Sequence, residues 1–193
     1  NVLLSPNVYQ MTLRGDTSAI TASGQFVNIQ LAGKYLRRPI SVCEVEGNVL
    51  TIVYKVVGSG TEQMSKMVCS EKLDVLTGLG NGYNLELAGD KPVLLGGGVG
   101  VPPLYMLAKR LISEGKKVHV VLGFNTAGEV FYENEFAALG ADVTVTTVDG
   151  SHGTKGFVTT AMEGADYSYF YTCGPEPMLK AIYKTAATSG QFS

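Results

Sequence analysis

The first half of the chain alternates apolar and polar residues over short stretches. Residues 25–31 alternate with a period of two, and residues 49–54 are a second run rich in β-branched and aromatic side chains. Such runs predict strands, and several at close spacing predict a small antiparallel Greek-key β-barrel. A short helix over about 62–69 is predicted between them, because Ser59 and Glu62 have the spacing of a capping box.

The pattern changes near Gly89 and Pro92. Beyond this point apolar runs alternate with helical stripes, which indicates a parallel sheet with helices on both faces. The predicted strands cover residues 93–95, 118–122, 143–146 and 167–171, and the predicted helices cover about 102–114, 133–139 and 177–187. We therefore predict a β-barrel domain over residues 1–89 and an α/β nucleotide-binding domain over residues 90–193.

Composition narrows the class of protein. Hydrophobic residues make up 45% and charged residues 17% of the chain, which is typical of a folded globular protein. The net charge of -2 argues against a nucleic-acid surface. The most apolar stretch, residues 93–108, contains four glycines and two prolines, which argues against a membrane span.

The ends of the chain and its cysteines suggest the cellular setting. Residues 1–10 have no features of a signal peptide. The three cysteines are widely spaced and match no metal-ligand pattern, which favours a reducing cytoplasm over a disulfide scaffold. The chain begins without Met and stops just after a helical pattern, so we expect residues to be missing at both ends.

A glycine-rich turn follows the predicted strand at residues 93–95. It contains Gly96, Gly97, Gly98 and Gly100, and Pro102 follows where a helix is predicted to begin. Glycine lets the backbone approach a phosphate, and a helix start offers free N–H groups. The spacing departs from G-x-G-x-x-G, and a tight structural turn is the alternative. The order strand, glycine turn, helix favours a dinucleotide.

A second motif, in the barrel half, consists of Arg38, Pro39, Ile40 and Ser41 after Arg37. Arginine can form paired hydrogen bonds with a pyrophosphate, proline keeps the backbone extended, and a serine hydroxyl can reach the edge of a ligand ring. Taken alone, the same residues also fit an exposed strand end.

A third motif combines Val53, Tyr54 and Lys55 with Gly60 and Thr61. Tyr54 offers an aromatic platform, Lys55 a charge, and the helix start at Gly60 a second phosphate position. An ordinary strand, turn and helix is the alternative interpretation.

A fourth motif, Cys173, Gly174 and Pro175, follows an aromatic predicted strand. The carboxyl ends of parallel strands are where ligands of open α/β sheets bind. The alternative for Cys173 is a buried structural thiol.

Together, the four motifs occur in the order typical of the ferredoxin-reductase superfamily. Within it, the sequences around Arg38–Ser41 and Gly96–Gly100 most resemble the electron-transfer subunits of two-subunit dihydroorotate dehydrogenases. The resemblance covers nearly the whole chain. One departure lies in the loop that ends the barrel, where Thr77 and Gly78 stand in place of the family's Gly-Pro.

The resemblance implies the cofactors, their positions and a partner. FAD would contact the second and third motifs, NAD(H) the first and fourth, and hydride would pass between nicotinamide and flavin. Ser41 would bond the flavin edge and Cys173 would pack against the nicotinamide. A two-iron two-sulfur cluster and an FMN-containing catalytic subunit, in a heterotetramer that serves pyrimidine biosynthesis, would complete the relay. The cluster needs four cysteines and the chain has three, so its ligands lie outside this segment.

Charge favours NAD over NADP. A 2′-phosphate needs a cation near the end of the second strand of the nucleotide domain, but residues 118–154 contain no Lys or Arg and include Glu129, Glu133 and Glu135. Neither His119 nor His152 belongs to a triad or metal motif, so both are interpreted as structural. The alternatives are a hydrogenase- or ferredoxin-linked reductase subunit and a non-catalytic nucleotide-binding module.

Overall fold

The computed structural model describes residues 1–162 and 166–188. Within it the chain divides into two compact units, Asn1–Tyr83 and Asn84–Ser193. Each unit has its own sheet.

The first unit is an antiparallel sheet of six strands in the order β1-β2-β5-β4-β3-β6. Strands β3, β4 and β5 follow one another as neighbours and β2 lies beside β5, which is a Greek-key arrangement. This confirms the predicted antiparallel architecture. The strands are β1 (Val2–Ser5), β2 (Val8–Arg14), β3 (Phe26–Gln30), β4 (Arg38–Glu46), β5 (Val49–Lys55) and β6 (Asp74–Leu79).

The core of the first unit comes from the alternation seen in the sequence. Val27 and Ile29 on β3, Val42 on β4 and Ile52 on β5 have no exposed surface. The pairing of β4 with β5 shifts register between Val42 and Glu44, and a shift of this kind bends a strand.

The short helix α1 (Ser59–Ser65) begins and ends earlier than the predicted 62–69. Its N-cap is Gly58, which is extended and has no side chain to cap the helix. Thr61 takes this role, since its Oγ1 accepts hydrogen bonds from the N–H groups of Val57 at 3.0 Å and Gly58 at 3.3 Å. The predicted capping box of Ser59 and Glu62 is therefore wrong.

The second unit is a parallel sheet of five strands in the order β10-β9-β8-β7-β11. The predicted parallel architecture is confirmed, although the predicted helix over 102–114 is a 3-10 turn, Pro102–Leu104, followed by α2. The strands are β7 (Pro92–Gly97), β8 (His119–Phe124), β9 (Asp142–Thr147), β10 (Thr154–Lys155) and β11 (Tyr169–Cys173), and the helices are α2 (Tyr105–Ser113), α3 (Glu133–Ala138) and α4 (Glu176–Thr188).

The order of this sheet creates a switch point. From β7 the chain moves outward through β8 and β9, and then returns to place β11 on the other side of β7. The connections that leave the carboxyl ends of β7 and β11 therefore start side by side and continue in different directions. Ligands of open α/β sheets bind at such a point. Val93, Leu94 and Leu95 of β7 have no exposed surface, as expected for a central strand.

Candidate functional site

The glycine turn after β7 meets the Cys173 turn after β11 at the switch point. Gly96 is the register partner of Cys173. A Cβ added to Gly100 would lie 2.5 Å from the carbonyl carbon of Cys173 and 2.7 Å from the backbone nitrogen of Gly174. Both contacts are with backbone, so a side chain at residue 100 requires one of the two turns to move.

Two further glycines shape this site. A Cβ on Gly97 would lie 2.5 Å from Sδ of Met178 and 3.2 Å from Cδ of Pro175. Gly98 has φ of 51° and open space around its Cβ direction, so its backbone is uncovered at the switch point. Bare backbone beside two converging turns suits the close approach of a phosphate or ring. The structure thus brings the first and fourth sequence motifs together.

The chemical group offered by β11 is the thiol of Cys173. This cysteine is half-buried and forms no disulfide. Its backbone carbonyl lies against Gly100, so the position of residue 173 is fixed by the turn from β7. The prediction that Cys173 contacts a nicotinamide ring remains a prediction.

The loops that follow β8 and β9 form a second part of this edge of the sheet, and sequence reasoning, which had singled out Glu129, missed the contact between them. Glu129 accepts hydrogen bonds from the backbone N–H and the side-chain amide of Asn125, at 3.1 and 2.8 Å. Ser151 accepts a hydrogen bond from the N–H of Ala127 at 2.7 Å, which ties the two loops together. The sequence signal for the loop after β9 was its Asp-Gly-Ser turn. There the Ser151 hydroxyl donates a hydrogen bond to Asp149 at 2.6 Å, which lowers the pKa of that carboxyl.

In the first unit, Arg38 lies across the first turn of α1. A Cβ on Gly60 would lie 2.7 Å from Nη2 and 2.8 Å from Cζ of Arg38, so a side chain at residue 60 would displace the guanidinium from this position. Gly60 and Thr61 are both buried. The structure therefore brings together the predicted phosphate contacts of the second and third motifs.

The neighbouring Arg37 has a different role. Its guanidinium forms two hydrogen bonds to the carboxylate of Asp74 on β6, at 2.8 and 3.1 Å. This pair raises the pKa of Arg37 and lowers the pKa of Asp74. Within the described ranges no carboxylate pairs with Arg38. Of the two arginines, Arg38 is therefore the one whose positive charge is available to an anionic ligand.

The other residues of these motifs differ in accessibility. Pro39 and Lys55 are exposed, Ile40 and Ser41 are half-buried, and Val53 is buried. No described residue within 1–162 or 166–188 forms a hydrogen bond with the Ser41 hydroxyl, so this group has bonding capacity for a ligand.

Tyr54 is placed differently from the predicted aromatic platform. It is 2% exposed and its ring stacks on Tyr9, with 6.0 Å between ring centroids. Its hydroxyl donates to Oδ1 of Asn1 at 3.0 Å, and burial raises its pKa to about 12. At this burial the ring has little surface left with which to contact a cofactor.

Both histidines have structural partners. His119 bonds through Nδ1 to the Tyr167 hydroxyl at 2.6 Å and through Nε2 to Thr144 at 2.8 Å, and burial lowers its pKa. His152 contacts Glu133 at 2.8 Å. Across residues 1–162 and 166–188, no cluster of three or more metal-binding side chains occurs, and no helix has the length and apolarity to span a bilayer.

Comparisons with known proteins agree with this arrangement. Residues 94–184 match the oxidoreductase NAD-binding domain family. A solved NADH-dependent reduced ferredoxin-NADP oxidoreductase is 31% identical and superposes with a TM-score of 0.87, over 96% of this chain and 70% of that one. The FAD/NAD-binding domain of nitric oxide dioxygenase from Vibrio cholerae has the same fold at 21% identity, with a TM-score of 0.82 over 99% and 91% of the two chains. Fold and site thus define an oxidoreductase of the ferredoxin-reductase type.

Sequence relatives identify the family more narrowly. The electron-transfer subunit of dihydroorotate dehydrogenase B (NAD(+)) from Bacillus mycoides is 46% identical over 93% of this chain and 73% of that protein. The subunit of the same name from Bacillus cereus strain B4264 matches equally well. The chain belongs to the family of dihydroorotate dehydrogenase B electron-transfer subunits, which confirms the resemblance seen in the sequence.

Proposed function

We propose that this chain is a flavoprotein subunit that transfers electrons between NAD(H) and a dihydroorotate dehydrogenase catalytic subunit. The observation that carries the proposal is the 46% identity to subunits of that name over 93% of the chain. The geometry supports it, since the predicted nucleotide motifs form two groups, one in each unit.

The second unit is proposed to bind NAD(H). The uncovered backbone at Gly98, in the turn Gly96–Gly100, suits a pyrophosphate, and Cys173 is placed beside the same turn. Glu129 lies just beyond the end of β8, where a carboxylate favours a ribose hydroxyl and repels a 2′-phosphate. We therefore propose NAD rather than NADP.

The first unit is proposed to hold FAD, and its residues fit this cofactor. Arg38 lies uncompensated over Gly60, where a pyrophosphate can accept its hydrogen bonds, and the Ser41 hydroxyl is available for the edge of the flavin ring. When bound, FAD supplies the conversion between two-electron hydride chemistry and single-electron transfer. The protein contributes the charge, the hydrogen bonds and the exclusion of water.

The cluster and the partner are further proposals. Cys43 is buried, Cys69 is exposed and Cys173 is half-buried, and three thiols are too few for a two-iron two-sulfur cluster. We therefore assign no cluster ligand to these residues. The proposed partner is the FMN-containing catalytic subunit in a heterotetramer. Cys43, Cys69 and Cys173 form no disulfide, which suits a reducing cytoplasm.

The first experiment is a visible absorption spectrum of the purified protein with FAD, repeated after anaerobic addition of NADH. A flavin band that bleaches with NADH, and much more slowly with NADPH, is expected. A protein that stays colourless after incubation with FAD contradicts the proposal and favours a nucleotide-binding module without flavin. Equal rates with NADPH contradict only the choice of NAD.

A ferredoxin-linked reductase subunit is the second candidate, because the NADH-dependent ferredoxin-NADP oxidoreductase matches 96% of this chain at 31% identity. Affinity purification of the tagged protein from its own cells separates the two. Recovery of dihydroorotate oxidation with the tagged subunit supports the first proposal. Recovery of ferredoxin reduction without it supports the second.

A further inference from the structure

A second cation lies beside Arg38 at the start of α1. Lys34, in the turn between β3 and β4, donates a hydrogen bond from Nζ to the Ser59 hydroxyl at 2.8 Å. Ser59 precedes Gly60, the residue covered by the Arg38 guanidinium. Lys34 and Arg38 therefore approach consecutive residues of the same helical turn.

The backbone holds Lys34 in this position. The Lys34 N–H donates to the carbonyl of Leu31 at 3.1 Å, and Gln30 donates from Nε2 to the Lys34 carbonyl at 2.7 Å. Gln63 of α1 also donates to the carbonyl of Ala32 in the same turn, at 3.3 Å. The turn is thus fastened to the helix at two points, and the ammonium group is not simply a mobile surface charge.

Neither cation has a carboxylate bonded to it within residues 1–162 and 166–188. Glu62 of α1 lies near enough for Lys34 to help lower its pKa, but its hydrogen-bond partner is Lys66 at 2.7 Å. Two positive charges thus converge on residues 59 and 60, while the carboxylate of Glu62 is bonded to Lys66. An anion with two charges balances this arrangement better than one with a single charge.

We propose that Lys34 is a binding residue for the diphosphate of FAD and neutralises one of its two charges while Arg38 neutralises the other. This rests on the proposed function, in which the first unit holds FAD. The argument depends on the two side-chain cations and not on the dipole of α1, which has only seven residues. Lys34 belongs to none of the four motifs, because it stands in a turn without a recognisable pattern.

The test measures dissociation constants of FAD and riboflavin by quenching of flavin fluorescence, in the protein freed of flavin. The variants are Lys34→Met, Lys34→Arg and the matched control Lys72→Met, which removes an exposed cation of the same unit. Riboflavin has no phosphate, so it reports whether the ring site survives. Lys34→Met is expected to weaken FAD binding about tenfold, as for one partly exposed charge-assisted hydrogen bond.

The other expected results follow from the charge. Lys34→Arg stays within about threefold of the wild type because it keeps the cation, and riboflavin affinity does not change in any variant. The difference between Lys34→Met and wild type shrinks as salt is added. The inference is overturned if Lys34→Met binds FAD like Lys72→Met, if Lys34→Arg does not restore binding, or if FAD and riboflavin weaken together. A wild-type protein that binds no FAD contradicts the proposed function itself, and this outcome is distinct from those that overturn the role of Lys34.

Discussion

The contact between the two turns at the switch point is tested by Gly100→Ala. The new Cβ would lie 2.5 Å from the carbonyl carbon of Cys173, whereas carbon atoms in contact are normally about 3.5 Å apart. One turn must therefore move by about 1 Å, and both are anchored on adjacent strands by the pairing of Gly96 with Cys173. Overpacking of this kind costs about 3 kcal/mol. For a unit of this size, the unfolding midpoint should fall by roughly 10–20 °C.

Thermal unfolding followed by circular dichroism, with and without NADH, measures this effect. Stabilisation by NADH should also be lost, because both turns belong to the proposed NAD(H) site and either movement distorts it. Gly128→Ala is the matched control for the unfolding midpoint, since its Cβ would have 3.9 Å to its nearest neighbour and its φ is not positive. If Gly100→Ala unfolds within about 2 °C of this control and is stabilised by NADH as much as the wild type is, the close packing of the two turns is refuted.

Three other predictions follow from the described contacts. Thr61→Ala removes the cap of α1 and should lower the free energy of unfolding by about 1 kcal/mol in urea titrations, whereas Thr61→Ser should cost less than half of that. Burial lowers the pKa of His119 below 6.5, so the unfolded chain takes up its proton first and stability should decline as pH falls below about 7. His119→Gln should flatten this decline, and an unchanged slope contradicts the burial argument. Glu129→Lys replaces a carboxylate by a cation, so it should raise the rate of flavin reduction by NADPH relative to NADH by about tenfold. An unchanged ratio would mean that the adenosine ribose of the nucleotide does not lie near residue 129.

Periodicity predicted the class of each unit because both patterns are local. The apolar run of β7 and the alternation of β3 are readable from neighbouring residues, and the order of elements then fixes a parallel or antiparallel sheet. Cap chemistry was harder. Ser59 and Glu62 have capping-box spacing, but the extended Gly58 starts the helix earlier and Thr61 bonds back to it.

Partners distant in sequence could not be predicted. Nothing in the sequence near Arg37 indicates that Asp74 will form an ion pair with it. The sequence therefore does not tell which of the two adjacent arginines remains available to a ligand. Tyr54 looks like an accessible ring on a strand, yet Tyr9 of the neighbouring strand covers it. The contact between the loops after β8 and β9 was missed for the same reason, since Ser151 meets Ala127 only in the folded sheet.

The position of β11 beside β7 also affects how the site forms during folding. Strands β7, β8 and β9 are consecutive and can pair as soon as they are made, but the Gly96 turn gains its partner only when Cys173 arrives from much later in the chain. A nascent or truncated chain without β11 can therefore hold a partial sheet that has no dinucleotide site. Because NAD(H) would then bind only the completed sheet, it would act as a folding ligand, shifting the equilibrium toward chains in which the last strand is in place.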